Sequence, residues 1–139
     1  MKVILDVNIW ISAMLWGGVP GKILRLARNE QINIFISEPL LLELETTLKR
    51  DKFQVRLTQR DYTFADLISV AQGLCNYCPT ISVEASQLRD QKDTIVLAAA
   101  VAAQAEVIIT GDLDLLVLIE FNGIKIMTPQ DFLSCYFSA

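Results

Sequence analysis

Short apolar runs alternate with amphipathic helical stretches along nearly the whole chain, and this alternation leaves few folds open. Lys2 to Leu5 (KVIL), Ile32 to Ile36 (INIFI), Glu106 to Thr110 (EVIIT) and Ile124 to Met127 (IKIM) are rich in branched side chains and too short for helices. They read as buried strands, with Thr80 to Val83 as a weaker candidate. Helical spacing fills the gaps: Leu24, Leu26 and Ala27 within Pro20 to Asn29, then Leu40, Leu41, Leu44 and Leu48 after a Ser37 cap. Phe64, Leu67, Ile68, Ala71 and Leu74 form a third stripe, with Thr58 and Asp61 at capping spacing ahead of it. The run after Asp93 is apolar nearly all round, so its helix is buried on several sides. Thr128-Pro129-Gln130-Asp131 joins a cap, a proline at the first helical position and an acid, opening a last helix into Phe132, Leu133, Tyr136 and Phe137. Such a pattern predicts an α/β fold: an open, mostly parallel four- or five-stranded sheet with helices on both faces. No repeat or Gly/Ser linker interrupts it, so residues 1–139 are expected to form a single domain.

Composition narrows the chemistry. The chain contains 0 histidines, which excludes Ser-His-Asp and Cys-His triads, histidine general acid/base catalysis and histidine-ligated zinc. Catalysis would have to run on carboxylates, lysine, tyrosine, cysteine or a hard metal ion. Cys75, Cys78 and Cys135 are an odd set that suits reduced thiols, and the Cys75-x-x-Cys78 spacing ends a helical stretch instead of opening one after a strand, so a structural role is expected. The longest apolar run, Thr94 to Ala103, is far below the roughly 20 residues a membrane helix needs. Asp6 interrupts the apolar opening and no small-residue cleavage site follows, so neither a signal peptide nor a membrane association is expected, and the reading is cytoplasmic.

In open parallel sheets, ligands bind at the carboxyl ends of the strands. Asp6 follows the first strand directly, and Asp112 and Asp114 follow the Val107 to Thr110 strand in T-G-D-L-D. Asp93 sits where the buried helix opens, and Glu43 borders the apolar face of the leucine-striped helix. Singly, each acid has an ordinary alternative as a cap, a turn residue or a surface charge. Together, several carboxylates on one rim repel unless something positive sits among them, and Lys92 is the one cation close in sequence. A hard divalent cation, Mg²⁺ or Mn²⁺, answers this economically, and such a site suits phosphodiester hydrolysis. Other readings use the same rim. An aspartyl-phosphate phosphatase wants a second acid where Asn8 stands, and a phospho-receiver wants paired acids and a lysine that Lys2 and Lys125 do not supply, while a non-catalytic binding or scaffold module remains the alternative.

The segments K-V-I-L-D-V-N, S-E-P-L-L-L-E-L, R-D-Q-K-D-T-I-V-L-A-A-A-V-A-A, I-I-T-G-D-L-D-L-L and M-T-P-Q-D-F-L resemble, in order and spacing, those of PIN-domain nucleases, in particular VapC-like toxins of toxin–antitoxin pairs. The resemblance covers nearly the whole chain. It implies an acidic rim that binds Mg²⁺ or Mn²⁺ and cleaves RNA, a cognate antitoxin whose tail covers the site, and a homodimer. Position by position, Asp6, Glu43, Asp93 and Asp112 match the family's four main acids, with Asp114 as an accessory; Glu45 and Asp90 are the alternatives to Glu43 and Asp93. Asn8 matches a polar residue that holds the first carboxylate or a water, and Thr110 a hydroxyl position beside the fourth acid. The chain departs from the family at Val7, where a threonine is common. A decayed PIN domain is the alternative that this departure leaves open.

A net charge of -4 looks unsuited to a nucleic-acid enzyme. Setting aside the five rim acids leaves eleven acids against 12 bases, a surface near neutrality. Lys49, Arg50, Lys52, Arg56 and Arg60 cluster just after the Glu43 helix, where they would meet phosphates or simply solvate a helix end. Trp10, Trp16 and Phe53 are assigned mainly to packing, with base stacking as the alternative, and Trp16 to Gly21 to a turn between helices.

Overall fold

The computed structural model describes residues 1–85, 88 and 90–137. Its centre is β1 (Lys2–Leu5), whose Val3, Ile4 and Leu5 are fully buried. A strand apolar on both faces needs a neighbour on each edge and a helical layer on each side. β1 pairs in parallel with β2 (Asn33–Ile36) and with β4 (Val107–Ile109); β6 (Ile124–Met127) extends the sheet beyond β4, and β3 (Cys75–Tyr77) beyond β2. A short antiparallel hairpin adds β5 (Glu120–Phe121), giving the order β3-β2-β1-β4-β6-β5. The parallel part thus has five strands, as the sequence pattern predicts.

Helices carry the chain between these strands. α1 (Val7–Leu15) and α2 (Gly18–Arg28) link β1 to β2 and pack on each other, while α3 (Glu38–Leu48), α4 (Asp51–Gln59) and α5 (Phe64–Leu74) lead to β3. Ser37 caps α3 by accepting from the Leu40 N–H at 3.3 Å, and Thr128 caps α8 (Pro129–Tyr136) by accepting from that of Asp131 at 3.1 Å, both as expected. α6 (Gln91–Ala103) lies against β1, β2 and β4 as well as α3. Its alanines at 98, 99, 100 and 103 are buried, and their small side chains let the helix backbone approach the sheet closely. α7 (Leu113–Leu116) is a single turn after β4.

Three local expectations need correction. The edge strand is Cys75–Tyr77, entered straight from α5, whereas residues 80–83 have no regular structure. Backbone pairing of Cys75 with Ile34 and Tyr77 with Ile36 occupies the free edge of β2 before Pro79 arrives. The cap of α5 is Thr63 in a reciprocal capping box with Asp66, not Thr58 with Asp61. Thr58 lies inside α4, where its hydroxyl donates to the Gln54 carbonyl, and Asp61 takes a left-handed φ of 59° in the turn that follows. The turn between α1 and α2 is shorter than expected: it consists of Trp16 and Gly17, and Gly18 to Gly21 already form the first turn of α2.

Leu97 is fully buried at the face of α6. Truncating it by Leu97→Ala is expected to cost about 2–5 kcal/mol, read as a lowered urea midpoint with an unchanged m-value.

Candidate active site

The parallel register of β1 and β4 pairs Leu5 with Ile109 and so sets the next residues, Asp6 and Thr110, side by side. Asp6 occupies the N-cap position of α1, yet its side chain makes no capping hydrogen bond. Its Oδ2 instead accepts a hydrogen bond from the Thr110 hydroxyl at 2.7 Å. Thr110 is fully buried, and its Oγ1 also accepts from the Asp112 backbone N–H at 3.0 Å. Asp112 caps α7 in turn, its Oδ1 accepting from the Asp114 N–H at 2.9 Å. One hydroxyl thereby fixes the carboxylate after β1 and the loop after β4.

Asp93 comes in from the other side, in the first turn of α6. Only 5% of it is exposed, and its Oδ2 is buried with no hydrogen-bond partner among the described residues. One carboxylate oxygen from each of Asp93, Asp112 and Asp114 lies within 4.8 Å of the others. Asp6, Asn8, Glu43, Arg50, Asp93 and Asp112 line one cleft of about 200 Å³. Glu43 is half-buried there, with the Lys92 Nζ 3.8 Å from its Oε2.

The electrostatics follow from this crowding. Burial pushes the Asp93 carboxyl up to about 7, helped by the neighbouring Asp112 and then by Asp90 and Asp6. Asp6 is likewise raised by burial and, more weakly, by Asp112; the Thr110 hydroxyl and the amides of Val7 and Asn8 pull the other way. The donors are all hard carboxylate oxygens, and an orphaned buried oxygen faces the group. Those features fit a Mg²⁺- or Mn²⁺-type cation better than a soft metal. The thiols do not share in this: Cys78 Sγ donates to the Ala99 carbonyl at 3.6 Å, and burial pushes Cys75 up to about 12.

The sequence-derived acids Asp6, Glu43, Asp93 and Asp112 therefore converge on one cleft, Asp114 adjoins it, and Asn8 is exposed at its wall. Glu45 is not among the lining residues, whereas Asp90 is, and it caps α6 by accepting from the Lys92 N–H at 2.9 Å. Of the basic cluster, Arg50 lines the cleft; Lys49, Lys52, Arg56 and Arg60 lie outside it, over the rings of Phe64, Phe53, Trp16 and Tyr62. Thr47, a buried hydroxyl residue of the wall, was missed by sequence reasoning. Its place four residues after Glu43, on the same face of α3, was the available signal.

A parallel sheet that gathers carboxylates at the carboxyl ends of its two central strands defines an α/β protein of PIN-like architecture. Residues 2–114 match the PIN domain family model, and the chain belongs to the PIN-domain family. It is 30% identical over 142 residues to the uncharacterized protein MJ1680 of Methanocaldococcus jannaschii, covering 96% of this chain and 90% of that one. In fold it is similar to a chain in the crystal structure of VapBC2 from Rickettsia felis bound to a DNA fragment from their promoter. The TM-score is 0.60 at 15% identity, covering 91% of this chain and 97% of that chain. Among the described residues no helix is long and apolar enough to cross a membrane.

The raised Asp93 carboxyl sets a pH dependence. Between its ordinary value of 3.8 and about 7 the folded protein holds a proton that the unfolded chain has released, so its stabilising effect is full at low pH and is lost as pH rises through about 7. The melting temperature of metal-free protein should fall from pH ~5 to pH ~8, and less so in Asp93→Asn. Added Mn²⁺ should raise it more at the higher pH, because the cation competes with that proton. Thermal melts with and without EDTA read both effects.

Proposed function

We propose that this chain, read as one PIN-like domain, is a metal-dependent ribonuclease and the toxin of a toxin–antitoxin pair. The observation that carries the reading is the buried Asp93 carboxylate: its Oδ2 has no hydrogen-bond partner among the described residues, and one of its oxygens lies within 4.8 Å of oxygens of Asp112 and Asp114. A carboxylate kept dry and unpaired is destabilising unless a ligand completes it. Asp6, Asp93 and Asp112, with Asp114 beside them, would hold Mg²⁺ or Mn²⁺, and Glu43 would serve from the opposite wall. When bound, such a cation activates water for attack and offsets charge on the scissile phosphate.

The chain's own groups supply the rest. The Thr110 hydroxyl holds Asp6 in one orientation, so the carboxylate is preorganised before substrate arrives. The exposed Asn8 amide and the Arg50 guanidinium are the donors available to phosphate oxygens at the cleft wall. Val7 is buried and offers no hydroxyl, which leaves that task on this loop to Asn8. The toxin reading draws on the likeness to a chain of the VapBC2 complex. It carries with it a cognate antitoxin over the acidic cleft, a homodimer and action on cytoplasmic RNA.

Purified protein should cleave RNA with Mg²⁺ or Mn²⁺ and stop on addition of EDTA. Asp93→Asn should lower the rate by about 100-fold or more while melting no earlier than wild type. Cleavage that survives EDTA, or an Asp93→Asn variant as fast as wild type, would overturn the assignment. Absence of any calorimetric response to Mn²⁺ would favour a non-catalytic binding module instead.

A further inference from the structure

α4 begins at the cleft, where Arg50 is both its N-cap residue and a lining residue, and carries its cations away from the acids. Lys52 lies 4.9 Å from the centre of the Phe53 ring. Arg56 lies 5.3 Å from the centre of the Trp16 ring, and its Nε donates to the Leu15 carbonyl at 3.1 Å. Phe53 is buried and packs edge-on against Trp16, centroids 6.3 Å apart at 73°. Trp16 itself remains 52% exposed, although it is the largest type of apolar side chain and is held by Phe53 and Arg56. Gly17 and Gly18 follow it with φ of 74° and 59°, turning the chain sharply into α2 and leaving the indole at a corner. By contrast Trp10, on the same helix, is 0% exposed.

A rigid, half-open indole bordered by a guanidinium combines the two elements that bind unpaired bases: a π-face for stacking and a cation for the adjoining phosphate. The nine residues of α1 separate Trp16 from Asp6, ten steps or roughly 15 Å at the usual rise, a span of a few nucleotides. We propose that Trp16, braced by Phe53 and Arg56, is a stacking platform for an unpaired base of single-stranded RNA whose backbone runs along α4 from Arg50. This deepens the ribonuclease reading and rests on it for the identity of the strand. It makes single-stranded RNA the preferred substrate form, because a paired base cannot reach the ring without leaving its duplex.

Binding is measured in EDTA, so that nothing is cut, with a labelled oligouridylate and with an RNA duplex of equal phosphate number. The single strand should quench tryptophan fluorescence, a signal assigned to Trp16 because Trp10 is buried, and the duplex should not. Trp16→Phe should lose the quench but keep affinity within about threefold. Trp16→Leu, which fills the same corner without a π-face, should bind about tenfold more weakly at an unchanged melting temperature. No quench by the single strand, or a Trp16→Leu variant that binds as tightly as Trp16→Phe, would overturn the platform. Cleavage assays separate the two readings: quench without metal-dependent cleavage removes the nuclease and keeps the platform, and cleavage unaffected in Trp16→Leu does the reverse.

Discussion

The hydrogen bond from the Thr110 hydroxyl to Asp6 stands at the point where fold and site are the same object. Both residues follow directly on paired central strands, and the backbone holds them as firmly as the side chains do: the Asp6 N–H donates to the Ile109 carbonyl at 3.0 Å and the Thr110 N–H to that of Met127 at 3.0 Å. A slip of the β1–β4 register by one residue would separate the pair and turn apolar side chains toward the wrong face. The site therefore inherits its precision from the sheet. Because Thr110 also accepts from the Asp112 amide, the loop after β4 is tied to the same anchor, and only Asp93 and Glu43 depend on how α6 and α3 dock.

That docking works against electrostatic preference. α6 is drawn onto the sheet by buried Val96, Leu97 and a row of alanines, and the same packing carries Asp93 into a dry position facing Asp112. The positive end of the helix dipole eases this only in part, since burial still pushes the carboxyl up to about 7. An apolar residue at 93 would pack there without such strain. A carboxylate at this position is what a functional site looks like when packing of the surrounding core supports a locally unfavourable group.

Much of this was legible in the sequence. β1 and β4 announce themselves as continuous branched runs because they are covered on both faces, β2 and β6 as short runs with branched residues at alternate buried positions, and Ser37 and Thr128 are readable because their caps are local. The gathering of Asp6 and Asp112 followed from strand-end position, and that of Asp93 from its place at the opening of the buried helix. What escaped notice depends on tertiary context. Residues 75–77 carry little β signal and become a strand because the edge of β2 is free there; residues 80–83 look more strand-like but have no edge left to join. α4 does not announce itself in the sequence, since its burial rests on Phe53 and Leu57, too few positions to declare a helix of its own. The preference for Glu43 over Glu45 was readable from the edge of the leucine stripe, whereas Thr47 offered only its spacing from Glu43, a weak signal for a single hydroxyl.

The chain's net charge of -4 conceals how its charges are sorted. Negative charge is drawn inward to one small cleft, where each bound divalent cation would offset two of those charges. Positive charge is spread along α4 and its flanks, with Lys49, Lys52, Arg56 and Arg60 each held over an aromatic ring. Cations over rings keep their charge for a phosphate while losing less freedom on binding one than a free side chain would. On the ribonuclease reading, the metal-free cleft repels an RNA backbone and the cation-loaded cleft accepts it, while α4 attracts it in both states. Substrate approach and metal loading are then coupled through charge alone, without any movement of the fold.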